Sequence, residues 1–216
     1  MEPRLEKRNE RLANAITHAM GLVLSVAGAA VLITYASLRG SAWHIVGCSV
    51  YAASLVLLYS SSTLYHTFTG RRARQVFHIF DHSAIFLLIA GTYTPFTLVT
   101  LRGACGWTLF GALWGLALCG ILIKLVAIGR FPALSVSVYV LMGWLGVIGI
   151  KPLLAALSLR GLLWLLAGGI FYTAGVAFYG AKKMPYSHAV WHLFVMCGSA
   201  CHYFAVLFYV IPHPSS

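Results

Sequence analysis

Long apolar runs alternate with short polar breaks along all 216 residues, and seven of the runs reach or approach the ~20 residues that carry a helix across a bilayer. They lie near 15–37, 43–66, 77–99, 104–125, 133–151, 158–180 and 187–211. Each predicts a membrane-spanning α-helix, because a backbone in lipid has to satisfy its own hydrogen bonds. The chain therefore reads as an all-α membrane protein, a seven-transmembrane-helix bundle. Residues 1–14 form a basic N-terminal stub, 15–211 a single transmembrane domain and 212–216 a short tail. The first run is too long for the core of a signal peptide, and no small-residue cleavage site follows it, so it is expected to stay as the first helix.

Composition agrees with the pattern. With 60% hydrophobic residues, 9% charged residues and a mean hydropathy of +0.86, a soluble fold cannot bury the apolar surface on offer. The basic residues then orient the bundle. Arg4, Lys7, Arg8, Arg11, Arg71, Arg72, Arg74, Lys124, Arg130, Lys182 and Lys183 fall on one side, against Arg39, Arg102, Lys151 and Arg160 on the other. Short loops rich in Lys and Arg stay inside, which predicts a cytoplasmic N-terminus and an external C-terminus. The net charge of +11 is thus largely topological, with anionic membrane lipids as its partners. No nucleic acid is expected as a partner, since the charges are scattered over loops rather than gathered on one face.

The five cysteines fall within or at the ends of apolar runs, without a CxxC pair, and are expected as buried small hydrophobes rather than disulfides. Gly111, Gly115, Gly143 and Gly146 are expected at close helix contacts, and Gly91 and Pro95 at a bend in the third helix.

Against this background one carboxylate stands out. Glu2, Glu6 and Glu10 belong to the N-terminal stub, whereas Asp81 lies in the apolar run VFHIFDHSAIFLLIAGTYTPF. An ionised carboxylate near mid-bilayer costs roughly 2.5–3.5 kcal/mol on insertion scales, so it needs a partner. The third helix starts near residue 77 on the cytoplasmic side, which puts Asp81 about one turn in. The second helix ends at SSTLYH, with Ser62 and His66 at that depth, and the seventh begins at YSHAVWH, with His188 and His192 there too.

His188 and His192 are four residues apart, hence about 40° apart on the helix surface and able to reach one ion. His66 supplies a third nitrogen. Three histidines with one open position are the pattern of catalytic zinc, although imidazole also accepts iron and nickel. A dication, or the water and histidines around it, would be the partner that Asp81 lacks. The plainer reading is that each polar group is interhelical glue, worth about 0.6 kcal/mol. Coincidence of three histidines, a serine and the one carboxylate of the spans at one depth weighs toward a site. His18, His78 and His82 could stand behind the ligands of such an ion, but headgroup contact or helix packing is the favoured expectation, and His202 lies about 21 Å beyond His188, out of reach of the same ion.

These residues also carry a resemblance. SSTLYHTF, FDHSAIFLLIAGTYTPF and SHAVWHLFVMCGSACHYFAV resemble the three motif regions of the progestin and adipoQ receptor family, nearest to its bacterial hemolysin III branch, as does the N-terminal NAITHAMG. The resemblance implies a multi-pass protein of the bacterial cytoplasmic (inner) membrane, with zinc as cofactor held by His66, His188 and His192. It makes Ser62 and Asp81 the matching serine and aspartate. In the related adiponectin receptors the aspartate binds zinc through a water, and the wider superfamily includes alkaline ceramidases.

Four functions follow as expectations. The leading one is a metal-dependent hydrolase acting on a lipid amide or ester bond, with Asp81 and Ser62 as catalytic residues. The alternative is a non-enzymatic membrane-homeostasis protein or sensor with a structural zinc. A pore-forming role, suggested by the branch name, finds no support in a chain without a soluble state. A proton pathway is disfavoured, because beyond the Asp81 layer only His202 remains in the spans, with His44 and His213 near the outer ends.

Overall fold

A computed structural model describes residues 8–126, 132–181 and 183–212. Among the described residues seven helices are long and apolar enough to cross a membrane, and no strand occurs. They are α1 (Arg8–Arg39), α2 (Ala42–Thr67), α3 (Arg71–Thr100), α4 (Ala104–Val126), α5 (Ala133–Ala156), α6 (Leu159–Gly180) and α7 (Ser187–Tyr209). Arg4, Lys7, Arg130 and Lys182, which entered the charge comparison, lie outside the described residues, as do Glu2, Glu6, His213 and the end of the expected tail.

The helices run past the apolar stretches at the ends where α1 and α3 begin. Helix α1 starts at Arg8 and α3 at Arg71, because RNERLANA and RRARQ are rich in Arg, Ala, Gln, Glu and Leu, which sustain a helix in a polar layer as well as in lipid. Within α3, Pro95 lacks the amide hydrogen that would continue the α-ladder, and the following turn Phe96–Thr100 widens to a π-helix. Gly91 serves close packing instead: it lies against Ser54 of α2, with no room for a Cβ. Helix α5 is broken by a 3-10 segment, Leu145–Gly149. The break is held by Tyr93 of α3, whose hydroxyl donates to the Gly143 carbonyl at 2.6 Å and accepts from the Gly146 amide at 2.9 Å.

The exterior is apolar, as lipid requires, and polar groups join an otherwise apolar interior. Large apolar side chains such as Val23 (69% exposed), Leu118 (56%) and Ile148 (74%) face outward, whereas buried positions hold Asn14, His18, Ser62, His66, Asp81, Thr94 and His192. One core joins α1, α2 and α7 through Leu32, Tyr51, Leu55, Tyr59 and Val206, and a smaller one joins α3, α4 and α5 through Phe86, Leu113 and Met142. Gly47 of α2 meets the backbone of Pro95. Gly111, Gly115 and Gly143, in contrast, face open space, so the expectation of close packing fails there and is met at Gly146. The cysteines are all free, but only Cys48 and Cys201 are buried; Cys119 and Cys197 are exposed on the apolar exterior.

Deep between α2, α6 and α7, Ser199 gathers three tyrosines. Tyr59 donates to its Oγ at 2.8 Å, Tyr172 shares a hydrogen bond with the same oxygen at 2.9 Å, and Tyr51 donates to its carbonyl at 3.2 Å.

Candidate metal centre

The last turn of α2 and the first two turns of α7 meet at one level. His66 ends α2, and Tyr186, in the left-handed region at φ 56°, turns the chain into α7 so that His188 lies in its first turn. His188 and His192 then project together, four residues apart. Ring centroids are separated by 4.6 Å for His188–His192, 5.1 Å for His66–His188 and 5.2 Å for His66–His192. Each offers one ring nitrogen, and these three atoms all lie within 4.8 Å of one another. Among the described residues no other trio of His, Cys, Asp or Glu comes together in this way.

The donor set suits a dication. Nitrogens about 2.0–2.1 Å from a zinc ion sit roughly 3.4 Å apart in a tetrahedron, so rotations that move the ring nitrogens by about an ångström close the set. His66 and His192 are buried and His188 partly so, and three imidazoles without a carboxylate among them leave a fourth position for an oxygen.

Asp81 is buried in α3 and faces the same interior. With Ser62, His188 and His192 it lines a cavity of about 130 Å³ bounded by every helix except α4. At about one probe sphere per group that space holds on the order of ten water-sized groups. Its walls are largely apolar, with Ile85, Leu88, Val136 and Val176 among them, and it extends to His202, ten residues beyond His192 on α7 and so about 15 Å away. Ser62 Oγ lies beside the Asp81 carboxylate but without a well-formed hydrogen bond.

Two of the remaining histidines lie against the site, the less favoured of the two expectations for them. His82 lines the cavity next to Asp81, its Nδ1 3.7 Å from the carboxylate. His18 of α1 is 3% exposed and stacks on His192, with ring centroids 3.5 Å apart and planes 17° apart. Both His18 nitrogens are buried without a hydrogen-bond partner. Helix α1 also brings Thr17 Oγ1 to 3.0 Å and the Asn14 carbonyl to 3.2 Å from His192 Nδ1. Asn14 and Thr17 were not singled out by spacing arguments. The available signal was the run of Asn14, Thr17, His18 and Gly21 along one face of an otherwise apolar helix. His202 stays apart from the trio, as its distance along α7 predicts; its ring edge fits against Gly168 of α6.

Comparison with known proteins places the chain among membrane proteins of one kind. The model of a family described as "Haemolysin-III related" matches residues 6–203. "Hemolysin-3" of Bacillus cereus is 50% identical over 206 residues, covering 95% of this chain and 94% of the relative. "Hemolysin-3 homolog" of Bacillus subtilis (strain 168) is 49% identical over 205 residues, at 95% and 96% coverage. The human "Monocyte to macrophage differentiation factor" is 27% identical over 215 residues, at 95% and 87% coverage. The resemblance drawn from the motifs is borne out.

Proposed function

This chain belongs to the haemolysin-III-related family, and on that premise we propose that it is a zinc-dependent hydrolase of a bacterial cytoplasmic membrane, cleaving an amide or ester bond of a lipid. The carrying observation is the conjunction at one level of three convergent imidazoles, a buried carboxylate and a largely apolar cavity. The Lys and Arg bias supports an orientation with this level toward the cytoplasm.

His66, His188 and His192 would hold the ion, which supplies a polarising charge for a carbonyl and a bound water whose pKa falls to about 7. Asp81, on the wall of the same cavity, orients the attacking water and accepts its proton, then returns it to the departing amine or alcohol. Ser62, beside Asp81, donates a hydrogen bond to the carbonyl oxygen as negative charge develops there. The apolar walls take up an acyl chain over the ~15 Å toward His202 and keep bulk water from the reacting bond.

The test uses purified protein in lipid–detergent micelles, with metal content and released fatty acid both measured by mass spectrometry. We expect one zinc per chain in the unsubstituted protein, little in His188→Ala, and fatty acid release that Asp81→Ala abolishes while zinc is retained. Stoichiometric zinc without release from any amide- or ester-linked lipid offered would sink the hydrolase. If Asp81→Ala also lowered zinc occupancy and thermal stability together, the alternative of a structural zinc in a non-enzymatic sensor would be favoured.

A further inference from the structure

The residues given a role above, Ser62, His66, Asp81, His188 and His192, lie on α2, α3 and α7, and α1 reaches the same centre from another side. We infer that α1 is a working part of the metal site: Thr17 is a positioning residue that, with the Asn14 carbonyl, holds His192 in the one tautomer and orientation that presents Nε2 to the ion. The inference rests on the zinc reading and adds to it a role for a helix that supplies no ligand.

The hydrogen-bond chemistry leaves one assignment. A backbone carbonyl can only accept, so the Asn14 oxygen 3.2 Å from His192 Nδ1 requires a hydrogen on that nitrogen. Thr17 fits the same assignment. Its hydroxyl hydrogen is directed to the carbonyls of Ala13 at 3.0 Å and Asn14 at 2.9 Å, which leaves an Oγ1 lone pair to accept from Nδ1–H at 3.0 Å. With Nδ1 carrying the hydrogen of a neutral imidazole, the free lone pair is on Nε2. A ligating histidine whose second nitrogen is held in this way is fixed in tautomer and ring direction.

Rotation about the remaining axis is blocked as well. The His18 ring covers one face of His192 at 3.5 Å, and His18 is itself backed edge-on by Tyr59 at 5.1 Å and 88°. Tyr59 fits there because residue 21 is glycine: a Cβ at Gly21 would come within 2.5 Å of the tyrosine ring. Asn14, Thr17, His18 and Gly21 follow the i, i+3, i+4, i+7 spacing of a single helix face. The otherwise puzzling polar stripe of NAITHAMG thus acquires a common purpose: edge, face and backing of one ligand.

The experiment measures the zinc dissociation constant by competition with a chromophoric chelator, for the full chain and for Thr17→Val and Thr17→Ser. Valine keeps the shape and removes the acceptor; serine restores it. We expect Thr17→Val to bind zinc about 10–100-fold more weakly and Thr17→Ser to recover most of the loss. The d–d absorption of the Co2+-loaded protein should change in Thr17→Val and return in Thr17→Ser, while metal-free Thr17→Val still unfolds in a single cooperative thermal transition like that of the unsubstituted chain. Unchanged zinc affinity in Thr17→Val, or weakening that Thr17→Ser fails to repair, overturns this inference alone. Failure of the unsubstituted chain to bind zinc overturns it together with the proposed function. Should Thr17→Val not yield folded protein, Thr17→Ala against Thr17→Ser carries the same comparison.

Discussion

Replacing Ser199 by alanine removes one oxygen on which two tyrosine hydroxyls depend. Tyr59 donates to it at 2.8 Å and Tyr172 meets it at 2.9 Å, between three helices and away from bulk water. The third tyrosine, Tyr51, bonds the Ser199 carbonyl at 3.2 Å and keeps its partner in the variant. Interhelical hydrogen bonds in membranes average about 0.6 kcal/mol with a maximum near 1.7, so two lost bonds give a destabilisation of about 1.2 kcal/mol and a ceiling of about 3.4. Tyr172 lines the cavity and can turn to water there, so the larger share should come from Tyr59. Tyr59→Phe, which removes one donor and leaves Tyr172 bonded, should cost about 0.6 kcal/mol. Reversible unfolding in mixed detergent micelles, followed by tryptophan fluorescence, reads both variants and their combination. The double-mutant cycle should return a coupling energy of about 0.6–1.7 kcal/mol. Strict additivity of Ser199→Ala and Tyr59→Phe, within the ~0.3 kcal/mol seen for independent sites, would refute the shared-acceptor account.

Two further substitutions probe the frame. Gly47→Ala pushes a Cβ against the Pro95 backbone, 2.9 Å from its Cα, which cannot swing aside; it should destabilise by about 1–3 kcal/mol in the same unfolding assay, whereas Gly111→Ala, facing open space, should be neutral or slightly stabilising. Tyr93→Phe removes both hydrogen bonds that hold the 3-10 break of α5, and amide exchange across Leu145–Gly149 should accelerate with a loss of about 1–2 kcal/mol in stability, while exchange in α7 stays unchanged.

Much of this architecture was legible in the order of residues, and the reasons differ by feature. The seven spans follow from apolar run length, because a bilayer imposes a length on any helix that crosses it. Their polar extensions were not legible: Arg8–Asn14 and Arg71–Val76 are helical through local propensity, to which a hydropathy criterion is blind. Likewise, the i, i+4 spacing of His188 and His192 predicts a shared direction, and depth counting brings His66 to the same level. The contribution of α1 escaped because helix periodicity says which residues share a face but not which neighbour that face meets. Spacing alone therefore leaves His18 open between headgroup contact, helix packing and a place behind the ligands, and the packing of α1 on α7 decides it. His82 escaped for a related reason, since 100° around a helix still faces the interior when the cavity is bounded on several sides. The glycine expectation failed at Gly111, Gly115 and Gly143 because small residues allow close approach without requiring it.

The clamp on His192 joins the first helix to the last, and this has a consequence for biosynthesis. Thr17 and His192 stand 175 residues apart, which at about 5–20 residues per second means roughly 10–35 s between the synthesis of one and the other. During that interval His18 can meet Tyr59 of α2, but His192 is not yet made and the histidine trio is incomplete. On the proposed zinc reading, loading begins only when α7 has been inserted and docked, so occupancy of the site would mark a chain whose insertion is complete.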